Sequence, residues 1–401
     1  MWICCQLGAR EHYAVSRAIH QNQCLFYLLT DAWIKPESIV TKFPVLVFQK
    51  LNERFHPNLN SARVISFTSS LLGFEISQRF QSKEYWQVII ERNLWFQKKA
   101  LKVLQTLKFK SNTQPILFSY SYAALDLLKF AKSQGWLTVL GQIDPGIVEE
   151  QIVASETSKY PKNISHWQPA PPEYWSNWQE ECSLADRILV NSSWSSKSLQ
   201  QLGIPVNKIA VVPLAYESPK SAQNFIRTYP KSFSSDRPLR ILFLGQVILR
   251  KGIMPLLEAL EILKNEPIEL WIVGSLGINI PESIRQLKQI HWISAVSRSA
   301  TQDYYQKADV FIFPTLSDGF GLTQLEAQAW KLPVIASKNC GEVVQDSING
   351  LVLDEISAKN IAQALIYCLK NPLRLQFFAD NSIDNDRFSL SKLANSLNSI
   401  F

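Results

Sequence analysis

Short apolar runs alternate with longer amphipathic stretches along almost the whole chain, and that alternation predicts most of its elements. In the first half the runs are "WICCQL" (2–7), "LFYLLTD" (25–31), "RVISF" (63–67), "ILFSY" (116–120), "WLTVLG" (136–141), "RILVN" (187–191) and "KIAVVP" (208–213). Each is predominantly apolar and does not alternate, as expected of strands covered on both faces. Helical spacing fills the gaps; "AREHYAVSRAIHQ" (9–21) reads as the first helix and places His12 one turn into it. The texture breaks at "YESPKSAQNFIRTYPKSFSSDRP" (216–238), where Pro219, Pro230 and Pro238 stand among serines, the signature of a connector. The strand and helix grammar then restarts with "LRILFLG" (239–245), "IELWIVG" (268–274), "DVFIFP" (309–314), "LPVIAS" (332–337) and "GLVLD" (350–354), and "SLSKLANSLNSIF" (389–401) reads as a closing helix.

Strands that alternate with helices form mostly parallel sheets covered on both faces. The expected fold is α/β: two Rossmann-like doubly wound domains facing across a cleft. The expected domains are 1–218, a linker 219–238, 239–380 and a C-terminal segment 381–401. In such sheets ligands bind beyond the carboxyl ends of the strands. Gly8, Gly245, Gly274, Gly319 and Gly321 all follow predicted strands, so the cleft is expected to be lined by their turns.

Composition narrows the class. With 401 residues, 46% hydrophobic and 19% charged, the chain is an ordinary globular protein of two or three domains. The opening "MWICCQLGAREHY" meets Arg10 too early for a signal peptide, and no run approaches the roughly 20 apolar residues of a membrane span. A cytoplasmic protein is the expectation. Six cysteines show no CxxC spacing and read as buried thiols. Five histidines (His12, His20, His56, His166, His291) form no HxH or HExxH pair, so no metal is expected.

Net charge is +7, concentrated in one place. Residues 79–110 carry Arg79, Lys83, Arg92, Lys98, Lys99, Lys102, Lys108 and Lys110 against Glu84 and Glu91. So local an excess points to one anionic partner and not to a nucleic-acid binder. Ile89, Phe96, Ala100, Val103 and Leu107 recur at helical steps, with Trp86 and Trp95 beside them. Two readings stand: a core-packing helix with a solvated basic face, or peripheral docking on an anionic membrane.

Two stretches carry candidate chemistry. In "GQVILRKG" (245–252), Arg250 and Lys251 precede a helix, and two cations beside free helix N–H groups make an anion site; an isolated Arg-Lys pair is also an ordinary solvated turn. In "SDGFGLTQLEAQAW" (317–330), Asp318 and Glu326 flank a glycine turn. Asp318 also fits a turn residue, and Thr323 with Glu326 fits a capping box.

In order and spacing, "GQVILRKG", "WIVGS" and "YYQKADVFIFPTLSDGFGLTQLEAQAWKLPVIASKNCGEVVQDSINGLVL" resemble the donor domain of GT-B glycosyltransferases, the retaining group 1 (family 4) enzymes, over roughly residues 240–355. "ADRILVNSSWSSKSL" and "IPVNKIAVVPLAYE" match the close of the acceptor domain more loosely. The resemblance implies that Lys251, with Arg250, neutralises the diphosphate of a nucleotide sugar. It implies that Asp318 holds sugar hydroxyls, that Glu326 accepts the ribose hydroxyls, and that backbone N–H groups of Gly319, Phe320, Gly321 and Leu322 hold sugar and phosphate. Gly8, Gly245 and Gln246 join the donor-binding set. The implied partners are a nucleotide-sugar donor and a glycan or lipid-linked acceptor; no cofactor is implied.

The chain departs from the family pattern at three places. Asp318 replaces a glutamate, Gln246 stands where an arginine is usual, and Gln142 and Asp144 stand where the acceptor domain has a histidine. Asp144 is the candidate substitute for positioning or proton transfer, with His12 as rival. The expected function is retaining hexosyl transfer to an acceptor hydroxyl. The alternatives are a non-catalytic GT-B scaffold and a nicotinamide oxidoreductase, the latter because Asp31 ends the second strand although GxGxxG is missing.

Overall fold

A computed structural model describes residues 1–36, 54–79, 83–110, 113–163, 167–383 and 385–401. His166, the Arg79 side chain and residues 80–82 of the basic stretch lie outside what is described.

Thirteen strands, numbered in chain order, form two sheets among the described residues. The first holds β1 (Trp2–Gln6), β2 (Leu25–Thr30), β3 (Val64–Ser66), β4 (Ile116–Tyr120), β5 (Leu137–Gln142), β6 (Arg187–Val190) and β7 (Ile209–Val211), in the order β3-β2-β1-β4-β5-β6-β7. The second holds β8 (Leu239–Leu244), β9 (Ile268–Val273), β10 (Ile290–Ile293), β11 (Val310–Phe313), β12 (Val334–Ser337) and β13 (Gly350–Leu353), in the order β10-β9-β8-β11-β12-β13. Every pairing is parallel. Each sheet therefore reverses its winding once, between β1 and β4 and between β8 and β11.

Both faces of each sheet are covered, which is why the strands read as predominantly apolar runs. Along β8, Leu239, Ile241 and Phe243 pack into one core with Leu256 and Leu260 of the helix Ile253–Ile262. Leu242 points the other way, toward Phe311, Phe313 and Trp330. β10 is the strand the hydrophobic pattern missed. It is an edge strand of four residues, "IHWI", in which only Ile290 is buried and His291 is exposed, so no apolar run marks it.

The first helix is shorter than its periodicity suggests. It spans Ala14–Gln21, and His12 lies before it, not one turn inside. Glu11, His12 and Tyr13 have φ of 52°, 50° and 61°, three consecutive left-handed residues without a glycine. Each such residue costs roughly 1 kcal/mol or more. Gln6 Nε2 ties this loop down by donating to Gly8 O and Arg10 O, both at 3.0 Å.

The connector is strapped to the second domain. Arg227 is buried and donates to the carbonyls of Tyr305, Ala308 and Trp330. Tyr229 OH donates to Asp309 O at 2.7 Å, and Arg237 forks onto the Asp309 carboxylate at 2.6 and 2.7 Å. The closing helix (Leu390–Asn398) returns to the first domain, where Leu393, Ala394 and Leu397 pack with Trp2 and Tyr13 and Arg187 Nε donates to Ile400 O at 2.8 Å. The backbone thus crosses between the domains twice.

Arg227→Ala strands three buried carbonyls at once, and an unsatisfied buried polar group costs about 1–3 kcal/mol. The expected outcome is a loss on the order of 3 kcal/mol in urea unfolding of the second domain, followed by tryptophan fluorescence; a midpoint equal to wild type contradicts the strap.

Candidate functional site

The candidate residues gather where the second sheet reverses its winding. The turn Leu249–Lys251 follows β8, and the loop carrying Asp318 follows its neighbour β11. Gly252 lets the two lie against each other: its φ is +68°, and a Cβ there would stand 1.9 Å from Pro314 O. Arg250 O then accepts from Leu316 N–H at 2.8 Å and from Thr315 Oγ1 at 3.1 Å. On the far side Asp318 N–H donates to Asn339 O at 2.9 Å, and Asn339 Nδ2 donates to Leu316 O at 2.9 Å. Three loops therefore fix the Asp318 backbone before any side chain acts.

In this frame Lys251 Nζ pairs with Asp318 Oδ2 and lies 4.9 Å from the centre of the Phe313 ring. Arg250 Nη1 stands 3.4 Å from the same Asp318 oxygen and donates to Ser317 O at 2.9 Å. A fourth charge comes from the first domain. Glu149 Oε1 lies 3.5 Å from Arg250 Nε, and Glu149 Oε2 accepts from Ser317 Oγ at 2.9 Å. Sequence reasoning missed Glu149. Its only signal was a pair of acids in the first turn of a helix (Ile147–Lys159), which usually marks nothing more than favourable helix-dipole charge.

Burial alone would raise the Asp318 carboxyl, but Lys251 and Arg250 beside it hold it below the usual carboxylate range. Glu149 behaves oppositely. Burial pushes it up to about 7; Arg250 pulls it down, and the Asp144 and Asp318 charges add to the rise. Arg250 loses some basicity to burial, yet Glu149, Asp318 and Asp144 leave it raised.

The predicted residues separate into several groups. Asp144 is at the domain interface: its Oδ1 accepts from Tyr122 OH at 2.6 Å, Gly146 N–H at 2.9 Å and Gln142 Nε2 at 3.0 Å. Gly319 was expected to admit a ligand; instead a Cβ there would lie 2.1 Å from Ile143 O, so the first domain occupies that approach. The Phe320 ring is buried against Phe388, and its N–H donates to Asp318 Oδ1 at 3.2 Å. Gly245 follows β8 directly, and Gln246 beside it is exposed.

The capping box does not form. Gly321 is the N-cap of the helix Leu322–Ala329, so Thr323 already sits inside the first turn, and its Oγ1 is buried without a hydrogen-bond partner. Glu326 instead accepts from Tyr305 OH at 2.8 Å. Leu322 lines a cavity of 240 Å³ with Arg298 and Tyr216, faced across the cleft by Glu11 and His12; Arg298 hydrogen-bonds the His12 ring. Gly8 donates its N–H to Asp31 Oδ1 at 3.0 Å, and Arg54 reaches the same oxygen at 3.3 Å. Asp31 is fully buried and already engaged, so it cannot meet the ribose of a dinucleotide, and the oxidoreductase alternative loses its one acidic group.

Residues 238–371 match the family described as "Glycosyl transferases group 1". The curated relatives include a D-inositol 3-phosphate glycosyltransferase from Xylanimonas cellulosilytica, 30% identical over 197 residues, covering 44% of this chain and 46% of that one. Another is a Campylobacter jejuni enzyme named as an N,N'-diacetylbacillosaminyl-diphospho-undecaprenol alpha-1,3-N-acetylgalactosaminyltransferase, 24% identical over 200 residues, covering 45% and 51%. The matches span about half the length of these relatives. Among solved structures, sucrose-phosphate synthase from Thermosynechococcus elongatus aligns at a TM-score of 0.68 with 16% identity, over 100% of this chain and 98% of that one. Anabaena HepE in complex with UDP-glucose aligns at 0.61 with 13% identity, over 99% and 98%. The fold is GT-B.

A carboxyl raised on folding contributes stability below its unfolded pKa and loses it as pH rises through its folded value. For Glu149 the window runs from the ordinary 4.5 to about 7. Glu149→Gln removes this titration, so its stability, measured by urea unfolding across that window, is expected to fall less with pH than wild type. Parallel curves for the two proteins contradict the assignment.

Proposed function

We propose that this chain, whose residues 238–371 match the group 1 glycosyltransferase family, transfers a hexose from a nucleotide-diphosphate sugar to an acceptor hydroxyl with retention at the anomeric carbon. One observation carries the reading: Arg250 and Lys251 after β8 meet Asp318 after β11 at the point where the sheet changes winding, the place where open α/β sheets bind ligands. Anabaena HepE, solved in complex with UDP-glucose, shares the overall fold.

In the proposed reaction the bond from the anomeric carbon to the diphosphate breaks and the acceptor oxygen bonds to the same face. Its proton passes to an oxygen of the departing phosphate, so no protein nucleophile is needed. Negative charge grows on that phosphate as the sugar becomes oxocarbenium-like. Cations already fixed there favour the transition state over the ground state. Without donor, Asp318 occupies both cations; an arriving diphosphate competes for them and frees Asp318 for sugar hydroxyls. Arg250 reaches the centre that Gln246 does not and so supplies the family's missing arginine. Glu326 accepts ribose hydroxyls, and the acceptor is a glycan or a lipid-linked sugar.

Among the described residues no helix is long and apolar enough to cross a membrane. The basic stretch forms the helix Tyr85–Leu104, which buries Phe96, Ala100 and Leu104. Lys83 pairs with Glu91, and Arg92 pairs with Glu75. Leu94, Lys98 and Lys102, four residues apart, remain exposed along one stripe. We assign this stripe to an anionic membrane surface, where a lipid-linked acceptor would be met.

Asp318→Asn is expected to lower donor turnover on the order of 10²-fold. Because it releases Lys251, nucleotide diphosphate should bind as tightly as before or more tightly, which calorimetry reads. Glu326→Gln and Lys251→Ala should both weaken nucleotide diphosphate. Tight nucleotide binding with no transfer or hydrolysis in wild type would instead identify a scaffold. For the membrane stripe, each lysine near an anionic surface contributes about 1 kcal/mol. Co-sedimentation with phosphatidylserine vesicles should therefore fall with added salt and with Lys98→Glu and Lys102→Glu together. Equal pelleting with neutral vesicles sinks that assignment.

A further inference from the structure

A cavity of 510 Å³ opens between the domains on the Arg250 side of the ion cluster. Trp86, Tyr122, Tyr174 and Trp175 line it, with Asp144, Glu149 and Glu150 between them. Its volume falls in the range of about 300–1,000 Å³ usual for small-molecule sites.

The aromatic rings are fixed, and most of their polar tips are spent on the protein. Trp86 Nε1 donates to Gln168 O at 3.0 Å, Trp175 Nε1 to Glu150 Oε1 at 2.9 Å and Tyr122 OH to Asp144 Oδ1 at 2.6 Å. Tyr122 and Tyr174 stack at 4.8 Å with planes 15° apart, and Trp86 leans on Tyr174 at 4.9 Å. What this panel offers a ligand is therefore ring face more than donor. The charged residues lining the cavity, among those described, are Asp144, Glu149, Glu150 and Arg250, three acids to one base. Such a lining repels anions, and carboxylates are poor neighbours for an alkyl chain. It suits a molecule with an apolar face and neutral hydroxyl donors.

Resting on the glycosyltransferase reading, we propose that this cavity holds the acceptor as a neutral pyranose, with its C–H face on the Tyr174 and Trp86 rings and its hydroxyls toward Asp144 and Glu149. Arg250 belongs both to the cavity and to the cation pair proposed to meet the diphosphate. A sugar seated there lies beside the donor end of the cleft, as transfer requires. The site selects for an uncharged sugar and against uronic acids and sugar phosphates.

The test is saturation-transfer NMR on the full chain with methyl glucoside, maltose, cellobiose and N-acetylglucosamine, against glucuronic acid and octanol. UDP and GDP binding is measured on the same samples by calorimetry. At least one neutral sugar should receive saturation, chiefly on its C–H protons. Its dissociation constant should rise about fivefold or more in Trp86→Ala and in Tyr174→Ala, and return to within about twofold of wild type in Tyr174→Phe, which keeps the ring. Unchanged nucleotide binding in the alanine variants shows that they fold. No saturation transfer to any neutral sugar, equal binding of glucuronic acid, displacement of the sugar by octanol, or indifference to the alanine changes would each overturn the proposal. A wild-type chain that binds the sugar through Trp86 and Tyr174 but neither nucleotide would uphold the cavity and remove the donor reading instead.

Discussion

Four charges from two domains are held together in a site that water only partly reaches. Lys251 and Arg250 share one Asp318 oxygen, and Glu149 reaches Arg250 from across the cleft. Such a group is costly to build, because each ion gives up solvation worth several kcal/mol. It persists because two cations face two carboxylates and the formal sum is zero. Removing any one member leaves a charge uncompensated. That balance holds only while Glu149 is ionised; burial draws its pKa up to about 7, and below that value its proton leaves the group with one net positive charge.

The backbone makes this arrangement possible. Two strands with opposite winding leave a gap between their following loops, and the chain fills it from both sides. Arg250 O is bonded by the loop after β11, which fixes the turn bearing the cations against the loop bearing Asp318. Gly319 lies directly against the Ile143 carbonyl, which brings the first domain within reach of Ser317. The returning closing helix packs on the first domain elsewhere, and the Arg227 strap fixes the connector to the second.

This geometry divides the cleft. On one side lie Leu322, Arg298 and Tyr216, with Glu326 on the same helix as Leu322. On the other lies the aromatic cavity with its three acids. The ion cluster stands at the edge of the second, through Arg250. In the proposed reaction a diphosphate arriving from the first side would offer the cations a second anionic partner and leave the Asp318 carboxylate to hydrogen-bond donors such as sugar hydroxyls. The side chains of the proposed chemistry are thus also ones that touch the first domain.

Much of this was legible in the chain. Predominantly apolar runs determined twelve of the strands, because a parallel sheet covered on both faces admits few polar residues. Glycine turns after those runs placed Arg250, Lys251 and Asp318 just beyond strand ends, where ligands bind, and Glu326 in the helix that follows. Local signals failed where a distant segment set the outcome. The β10 edge strand holds its place by pairing with Leu270 to Val273, not by its own apolarity. The Thr323 and Glu326 spacing suits a capping box, but Gly321 starts the helix too close to Thr323. His12 looks helical until Gln6 and Arg298 hold its loop in a left-handed turn. Glu149 and the rings of Trp86, Tyr122 and Tyr174 are far apart along the chain, and nothing in their spacing joins them. The sequence by itself determined which residues stand at the ends of the strands, since hydrophobic period and glycine position are local. Only the tertiary structure decided which charges meet and which rings share a cavity, because both depend on two separately wound sheets being closed upon each other.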